Sequence, residues 1–273
     1  NTRAESCTLG TLVGGRLGAW LTVAEARLGV KTGGFEPAGD CPASHVANYR
    51  LQASYEDESA LKKFADSVDV ITYEFENIPT SALDTLEAIR PIHPSREALR
   101  ISQDRLIEKD FLTNLGLTVA PYAHVNSEED LRAAVAKVGL PAILKTCRFG
   151  YDGKGQARLE TEADIAPAWE AMAGAPSVLE GFISFTKEIS IIAARGPSGE
   201  VSCYDPGENV HEGGILRTTT VPAVIPASLR TDAVLLAARV LNALEYVGVM
   251  GVALFVTPNG LTVNEIDTRV HNS

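Results

Sequence analysis

Two lysines and three glycines lie close enough together to form a polyphosphate-binding loop. Lys145 ends a short apolar run, and Lys154 lies in the following loop among Gly150, Gly153 and Gly155. Glycines let backbone N–H groups approach an anion, and lysines supply point charges for phosphate oxygens. This is not a Walker loop, because no Ser or Thr follows the Gly-Lys pair to open a helix. The pattern favours a strand–loop–strand lid over nucleotide phosphates, and the alternative is an ordinary hairpin with surface lysines.

Two acidic residues follow an apolar, β-branched run from 68 to 73. That run predicts a buried parallel strand, and Glu74 and Glu76 come directly after it. The carboxyl ends of such strands border the crevice in which open α/β sheets bind ligands. These carboxylates are therefore candidate ligand contacts, and the alternative is that they are solvated acids of a loop.

A glycine turn near the N-terminus predicts a second anion-binding position. Residues 8–18 favour a strand and a turn containing Gly14 and Gly15, and a helix is expected over 17–28. This order begins a Rossmann-like half, in which the helix N-terminus favours phosphate. The dinucleotide fingerprint is broken, however, because Val13 occupies its first glycine position.

The remaining elements alternate as in an α/β protein and must position these residues. Ser127 is a helix cap followed by acidic residues, and Gly139 ends that helix. The further predicted helices are 56–67, 104–115, 128–138 and 227–244, and the predicted strands are 142–144, 177–183, 246–256 and 260–266.

The composition is that of an ordinary globular protein. The chain has 273 residues, 45% hydrophobic and 22% charged, which allows two domains. A net charge of −11 argues against a nucleic-acid partner. Four cysteines without a CxxC pair argue against a zinc site and favour a reducing, cytoplasmic location. No apolar run approaches the roughly 20 residues that span a bilayer, so no membrane partner is expected.

The motifs together resemble the ATP-grasp superfamily and, more narrowly, the N5-carboxyaminoimidazole ribonucleotide synthetases, ligases of purine biosynthesis. The matching blocks occur in family order and cover nearly the whole chain: Lys145 with 150–156, and 73–77, 103–106, 208–211, 214–217 and 269–273. The resemblance implies an α/β fold with a Rossmann-like (pre-ATP-grasp) domain at 1–98 and an ATP-grasp domain at 99–273. Within the latter it implies a small α/β lid at 118–178. The family continues with a further C-terminal domain, which we expect to be absent from this chain.

The resemblance also implies roles for individual residues. The expected ATP contacts are Arg105, Lys145, Gly150, Tyr151, Asp152, Gly153, Lys154, Gly155, Gln156, Glu180, Gly181, Phe182, Ile183, Glu188, His211, Asn264 and Glu265. The expected contacts of the ribonucleotide substrate are Gly14, Gly15, Glu74, Glu76 and Asn272, and the expected catalytic residues are Tyr151, Asp152, Arg269 and His271. Within this set, the backbone of 180–183 would meet the adenine edge, Glu188 the ribose and Arg269 the bicarbonate.

The expected Mg²⁺ site departs from the family pattern. The family places acidic groups on two adjacent strands; Glu265 supplies one, and Ala253 stands in place of the other. Asp267 and Thr268 stand where the family usually has alanine and proline. Three interpretations remain open: a metal held by Glu265 alone, partial rescue by Asp267, or an impaired chain. Rescue is disfavoured because Asp267 lies farther along the strand than the lost group.

The implied reaction is the ATP-dependent carboxylation of 5-aminoimidazole ribonucleotide by bicarbonate through carboxyphosphate, with ATP and Mg²⁺ as cofactors. A homodimer is expected from the family. One alternative is another ATP-grasp carboxylating or amide-forming ligase. A second is a catalytically impaired or non-catalytic ATP-binding homologue or fragment, which Ala253 and the missing C-terminal domain favour. A third, an NAD-dependent oxidoreductase, rests only on the 13–18 loop and Glu36.

Overall fold

The computed structural model describes residues 7–12, 15–150, 154–271 and 273. The chain divides into two compact units. The first contains Asn1–Arg100, Tyr246–Val249 and Thr268–Val270, and the second contains Ile101–Glu245, Met250–Asp267 and His271–Ser273. The predicted domain boundaries, 1–98 and 99–273 with a lid at 118–178, stay predictions.

The first unit contains a parallel sheet with helices along the chain between its strands. Its strands are β1 (Thr8–Leu12), β2 (Lys31–Phe35), β3 (Tyr49–Leu51) and β4 (Val70–Tyr73). Its helices are α1 (Arg16–Arg27), α2 (Glu58–Asp66), α3 (Thr80–Glu87) and the start of α4 (Arg96–Ser102), and Pro42–His45 forms a 3₁₀ turn. The sheet order is β3-β2-β1-β4.

The core of the first unit lies where apolar side chains of the sheet meet α2. The rings of Phe35 and Phe64 meet edge to face, with centroids 5.4 Å apart. The segment from 31 to 35 contains two glycines, which disfavour a strand, yet it forms β2. A Cβ at Gly33 would overlap the ring of Tyr49. Close packing against the neighbouring strand thus requires a glycine here.

The second unit contains two sheets. Its helices are α5 (Arg105–Asn114), α6 (Glu128–Val138), α7 (Ile165–Ala171) and α8 (Ala227–Ala243), and Glu162–Asp164 forms a 3₁₀ turn. The strands are β5 (Tyr122–Val125), β6 (Ala142–Thr146), β7 (Gln156–Leu159), β8 (Ser177–Gly181), β9 (Lys187–Arg195), β10 (Val201–Cys203), β11 (Gly207–Glu212), β12 (Ile215–Thr220), all but the first two residues of β13 (Gly248–Thr257), and β14 (Gly260–Asp267). The smaller sheet has the order β5-β8-β6-β7; the larger has β12-β11-β9-β13-β14, with β10 paired to β9.

Local capping signals account for the ends of α5 and α6, two helices that precede the glycine loop in the chain. The Ser127 side chain accepts a hydrogen bond from the Asp130 N–H at the start of α6, and Gly139 ends that helix with φ of 88°. Asp104 accepts from two backbone N–H groups at the start of α5, and Gly116 follows that helix with φ of 70°. Among the described residues, none of the helices could cross a membrane, since none is both long and apolar enough.

Candidate active site

Two lysines converge on the buried carboxylate of Glu180 in the second unit. Strand β8 carries Glu180, the neighbouring strand β6 carries Lys145, and α5 carries Lys109. The Nζ atoms of Lys145 and Lys109 lie 3.2 Å and 3.3 Å from Oε2 of Glu180. Burial by itself would raise the pKa of Glu180, but the charges of Lys145, Lys109 and Arg105 outweigh it and lower that pKa. The carboxylate therefore stays ionised and fixes two ammonium groups beside the β6–β7 hairpin.

Arg105 connects the glycine loop to Glu265. It is the first residue of α5; its Nη2 donates to the carbonyl oxygen of Gly150 at 3.4 Å, and its Nη1 lies 3.6 Å from Oε2 of Glu265. Gly155 has φ of 67°, and a Cβ there would lie 2.6 Å from Oγ1 of Thr146. The loop therefore requires glycine at this position. The result is a cation held between the loop backbone and a carboxylate.

Glu188 and His211 lie side by side on strands β9 and β11. Oε2 of Glu188 is 3.4 Å from Nδ1 of His211. Burial, and then the charge of Glu265, raise the pKa of Glu188 to about 7. Burial likewise lowers the pKa of His211. Because both shifts favour the neutral forms, this contact is not a full ion pair near neutral pH, and the Glu188 carboxyl group can hydrogen-bond a ligand.

Glu265 fits a metal that arrives together with phosphate oxygens. It lies opposite Ala253 in the β13–β14 register, and its side chain is 42% exposed. Ala253 is buried and offers no ligand atom. Mg²⁺ commonly takes one or two carboxylates and completes its octahedron with phosphate oxygens and water. Within the described parts of the chain, no group of three or more His, Cys, Asp or Glu side chains could hold a metal ion.

Two backbone donors of the expected adenine segment are already used within the protein. The N–H of Gly181 donates to the carbonyl oxygen of Pro121 at 2.8 Å, and the N–H of Phe182 donates to that of Pro141 at 3.0 Å. The backbone of 180–183 therefore offers an incoming base fewer donors than expected. Ile183 follows this pair, beyond the end of β8, and its N–H is the remaining candidate.

In the first unit, Glu74 holds the start of helix α1. The N–H of Gly15 donates to Oε1 of Glu74 at 3.1 Å, and a Cβ at Gly15 would lie 2.8 Å from that oxygen. Burial raises the pKa of Glu74, although hydrogen bonds from Gly18 and Gly15 and the charge of Arg269 partly oppose it. This side chain thus occupies the helix N-terminus that the sequence pattern suggested for phosphate.

Glu76 and Arg269 form the second contact of interest in the first unit. The Nε of Arg269 lies 3.9 Å from Oε2 of Glu76. The neighbouring Thr268 is buried, and its side chain hydrogen-bonds that of Tyr73. Thr268, which stands where the family usually has proline, therefore has a defined partner in Tyr73. The adjacent Arg269 and its partner Glu76 could contact a polar substrate.

The two units match two family models, the ATP-grasp domain over residues 110–273 and the ribonucleotide synthetase preATP-grasp domain over residues 6–103. A Brucella melitensis protein named N5-carboxyaminoimidazole ribonucleotide synthase is 48% identical over 97% of the chain and 74% of its own length. The chain belongs to the N5-carboxyaminoimidazole ribonucleotide synthase family. The predicted fold class, a pre-ATP-grasp domain followed by an ATP-grasp domain, and the predicted ligase class are thereby confirmed.

Solved structures of this synthase family superpose closely on the chain. The Staphylococcus aureus N5-carboxyaminoimidazole synthetase complexed with ADP is 34% identical with a TM-score of 0.94, covering 100% of this chain and 73% of that one. The Aspergillus clavatus N5-carboxyaminoimidazole synthase, in complex with ADP and 5-aminoimidazole ribonucleotide, is 28% identical with a TM-score of 0.90, covering 98% and 71%. Another Aspergillus clavatus structure of this family is complexed with ATP, so ATP is a ligand of the family. Mg²⁺ is the metal that ATP-grasp enzymes use with this nucleotide.

The synthase-family roles of single residues stay predictions. The structure brings one set of the expected ATP contacts together: Arg105, Lys145, Gly150, Glu180, Glu188, His211 and Glu265. Lys154 and Gln156 are exposed on the β6–β7 hairpin, and the Asn264 carbonyl accepts a hydrogen bond from Lys109 at 3.5 Å. Five expected site residues lie outside the described residues: Gly14, Tyr151, Asp152, Gly153 and Asn272.

Two charged residues of this site, Glu108 and Lys109, were not predicted from the sequence. Glu108 accepts the N–H of Ile266 at 2.6 Å, and burial raises its pKa to about 8. Lys109 is only 2% exposed and pairs with Glu180. The available signal was their spacing, because positions three and four residues after Arg105 share its face of the helix.

Proposed function

We propose that the chain catalyses the ATP-dependent carboxylation of 5-aminoimidazole ribonucleotide to N5-carboxyaminoimidazole ribonucleotide, a step of de novo purine biosynthesis. The observation that carries the proposal is the cluster of Lys145, Lys109 and Glu180 beside the glycine loop. It is the arrangement expected of a polyphosphate site, and it lies in a chain 48% identical to a synthase of this name. The bound ADP and aminoimidazole ribonucleotide of the Aspergillus relative supply the substrate class.

The second unit would bind ATP through groups of different chemistry. Lys145 and Arg105 would contact the phosphates, because both are held near the loop before any ligand arrives. Glu188 would accept hydrogen bonds from the ribose hydroxyls. The N–H of Ile183 would donate to the adenine edge. Preformed cations of this kind avoid reorganisation when the phosphate charge appears.

Phosphoryl transfer would begin with attack of a bicarbonate oxygen on the γ-phosphorus. The new O–P bond replaces the bond to ADP and gives carboxyphosphate, while Lys145 and Arg105 stabilise charge on the phosphoryl oxygens. Glu265 would hold Mg²⁺, which would supply further neutralisation of the charge on the phosphoryl oxygens. Carboxyphosphate then divides into phosphate and CO₂, and the exocyclic amine of the ribonucleotide attacks the CO₂ carbon. Arg269 would hold bicarbonate. The proton that the amine loses would pass to Asp152, with Tyr151 and His271 taking part in its transfer.

The test is ADP release with Mg²⁺, bicarbonate and aminoimidazole ribonucleotide each omitted in turn. Release that requires all three, with the carboxylated ribonucleotide as product, supports the proposal. Asp152→Ala should abolish the coupled reaction while leaving the fold intact by circular dichroism. Full activity in that variant would remove Asp152 from the mechanism, and ADP release that ignores the ribonucleotide would contradict the substrate.

Ala253 favours a second candidate, an ATP-binding homologue that does not turn over. Ala253→Glu restores the second carboxylate and separates the two candidates. Mn²⁺ binding followed by electron paramagnetic resonance in the presence of ATP gives a readout that does not depend on activity. Tighter Mn²⁺ binding and a gain of ADP release in the variant alone would identify an impaired metal site. ATP binding without release in either chain would support the binding-only function.

The homodimer also belongs to this proposal. Its support is the apolar surface of helix α1 and its end, where Trp20 and Leu28 are 65% and 82% exposed. Light scattering after gel filtration would give the molar mass, and a mass of one chain at all concentrations would contradict the dimer.

A further inference from the structure

His271 lies in a niche formed by two paired residues of neighbouring strands. Gly251 of β13 and Asp267 of β14 are directly opposite each other in the register. A Cβ at Gly251 would lie 2.9 Å from Cδ2 of the His271 ring, so the ring packs flush against the glycine. Oδ2 of Asp267 lies 3.3 Å from Nε2 of the same ring, and both side chains are largely buried. The glycine thus makes room for the ring, and the carboxylate meets its outer nitrogen.

The other ring nitrogen, Nδ1, accepts a hydrogen bond whose direction is fixed. The backbone N–H of Ser273 donates to Nδ1 of His271 at 3.1 Å. A backbone N–H has no lone pair to offer, so Nδ1 must be the acceptor and the proton of the neutral ring lies on Nε2. That proton faces Asp267. The two neighbours therefore select the same tautomer from opposite sides of the ring.

Two hydroxyl groups, those of Ser273 and Ser190, connect the His271 ring to strand β9. Oγ of Ser273 lies 2.6 Å from Nδ1 of His271, and Oγ of Ser190 donates to Oγ of Ser273 at 2.7 Å. Oδ1 of Asn209 lies a further 3.5 Å from Oγ of Ser190. The ring is thus tied to β14 through one nitrogen and to β9 through the other.

We propose that Asp267 is a positioning residue for His271. It holds the imidazole ring against Gly251 with the ring proton on Nε2. Nδ1 then remains the acceptor for the N–H and the hydroxyl group of Ser273. The inference deepens the proposed function, since it rests on His271 acting in that reaction, but its structural part stands without it. A ring fixed at both nitrogens keeps one orientation, whereas a ring fixed only through Nδ1 can tilt away from the sheet.

The test follows the ring proton of His271 by nitrogen-15 and proton NMR at about pH 8, where an ordinary histidine is neutral. A ring N–H bonded to a buried carboxylate exchanges slowly and gives a resolved downfield signal, which His271→Gln assigns by its disappearance. We expect the signal in the unaltered chain and in Asp267→Asn, whose amide oxygen still accepts. We expect its loss in Asp267→Ala, and also in Gly251→Ala, where the carboxylate remains but the ring is displaced.

Kinetics then separate positioning from general damage. Asp267→Ala should lower kcat for ADP release by about tenfold to a hundredfold, the range for carboxylates that orient metal-bound histidines, with KM for ATP nearly unchanged. Asp267→Asn should recover most of that loss. Asp40→Ala is the matched control, because it removes the carboxylate of an exposed histidine–aspartate pair, His45 and Asp40, at 2.7 Å. It should change neither readout.

Several outcomes would overturn the inference. A ring proton that is absent from the unaltered chain, or that persists in Asp267→Ala, removes the Asp267 contact. A fall in kcat with an unchanged ring signal means that Asp267 acts by another route. If the chain releases no ADP under any condition, the proposed function fails, but the ring signal still decides whether Asp267 holds His271.

Discussion

Glu180 in strand β8 and Glu25 in helix α1 are shielded from water to nearly the same extent, with 5% and 6% of each residue exposed. The pKa values of their carboxyl groups are nevertheless shifted in opposite directions. Two lysines and Arg105 lower the pKa of Glu180 against the effect of its burial. Burial alone raises the pKa of Glu25 to about 7, and its two oxygens have no hydrogen-bond partner among the described residues.

The difference shows what distinguishes a charged site from an isolated buried acid. Removing a carboxylate from water favours its neutral form unless cations are held nearby. The second unit holds such cations, Lys145 and Lys109, in place without a ligand, and the negative charge of Glu180 balances part of their positive charge. Helix α1 offers Glu25 no such partner. In this protein the buried carboxylate whose pKa is lowered is therefore the one that lies in the proposed polyphosphate site.

The strongest way to break this contrast is Glu180→Gln. The amide keeps the shape of the side chain but leaves the ammonium group of Lys109, which is 2% exposed, without its counter-charge. Breaking a buried pair by removing one partner costs about 3–5 kcal/mol. Urea unfolding at neutral pH measures the loss. Glu160→Gln, which disrupts the exposed contact with Arg158, is the control; a loss in Glu180→Gln no larger than in the control would contradict the prediction.

The pH dependence of stability tests the other half of the contrast. The folded pKa of Glu25, about 7, lies above its ordinary value of 4.5, so the folded state holds the proton more tightly than the unfolded state. The stability that protonated Glu25 gives the folded state is fully present below pH 4.5 and is lost as pH rises through about 7, by about 3 kcal/mol. Glu25→Gln should remove this fall in the free energy of unfolding. Parallel pH profiles for the two proteins would show that Glu25 does not titrate as inferred.

The sequence predicts those parts of the fold that depend on local signals. Both ends of α6 follow from a capping serine and a terminal glycine, and the structure places them at Ser127 and Gly139. Strand β2 was harder to predict, because Gly33 is explained only by the ring of Tyr49 on the next strand. Packing between distant segments overrides propensity at such positions.

The same distinction applies to the candidate site. The glycine loop identifies Lys145 directly from its sequence. The spacing places Lys109 on the same face of α5 as Arg105, but Lys109 reaches Glu180 only because α5 packs near β8. Glu74 was expected to contact substrate, but its side chain also accepts the N–H of Gly15. These two residues are 59 positions apart in the sequence, so no local pattern predicts the contact.

Glu74 supplies an intermediate case for the comparison. Its carboxylate is 7% exposed and is partly compensated by the N–H groups of Gly15 and Gly18 rather than by a lysine. Glu74→Ala should cost about 1–2 kcal/mol, since the start of α1 loses its acceptor. Chemical unfolding measures this loss, with the exposed Glu56→Ala as control. Equal stability of the two variants would mean that Glu74 does not hold the helix start.

The smallest expected effect sharpens the comparison most, because the pair has the same two residue types as Lys109 and Glu180 but is much more exposed to water. Lys187 and Glu208 also form a lysine–glutamate pair in the second unit, with Nζ and Oε2 2.6 Å apart and side chains 31% and 26% exposed. The atoms are closer than in the Lys109–Glu180 pair, at 3.3 Å. Distance alone would therefore make this the stronger pair.

Exposure predicts the reverse order. A partly solvated pair contributes about 0.2–1 kcal/mol, because water and salt screen its charges. A double-mutant cycle with Lys187→Ala and Glu208→Ala should give a coupling energy in that range, and the coupling should shrink further as salt is added. A coupling above about 2 kcal/mol that resists salt would show that pairing distance, rather than shielding from water, sets the energy of these contacts. The effect of Lys145 and Lys109 on Glu180 would then not depend on their being shielded from water.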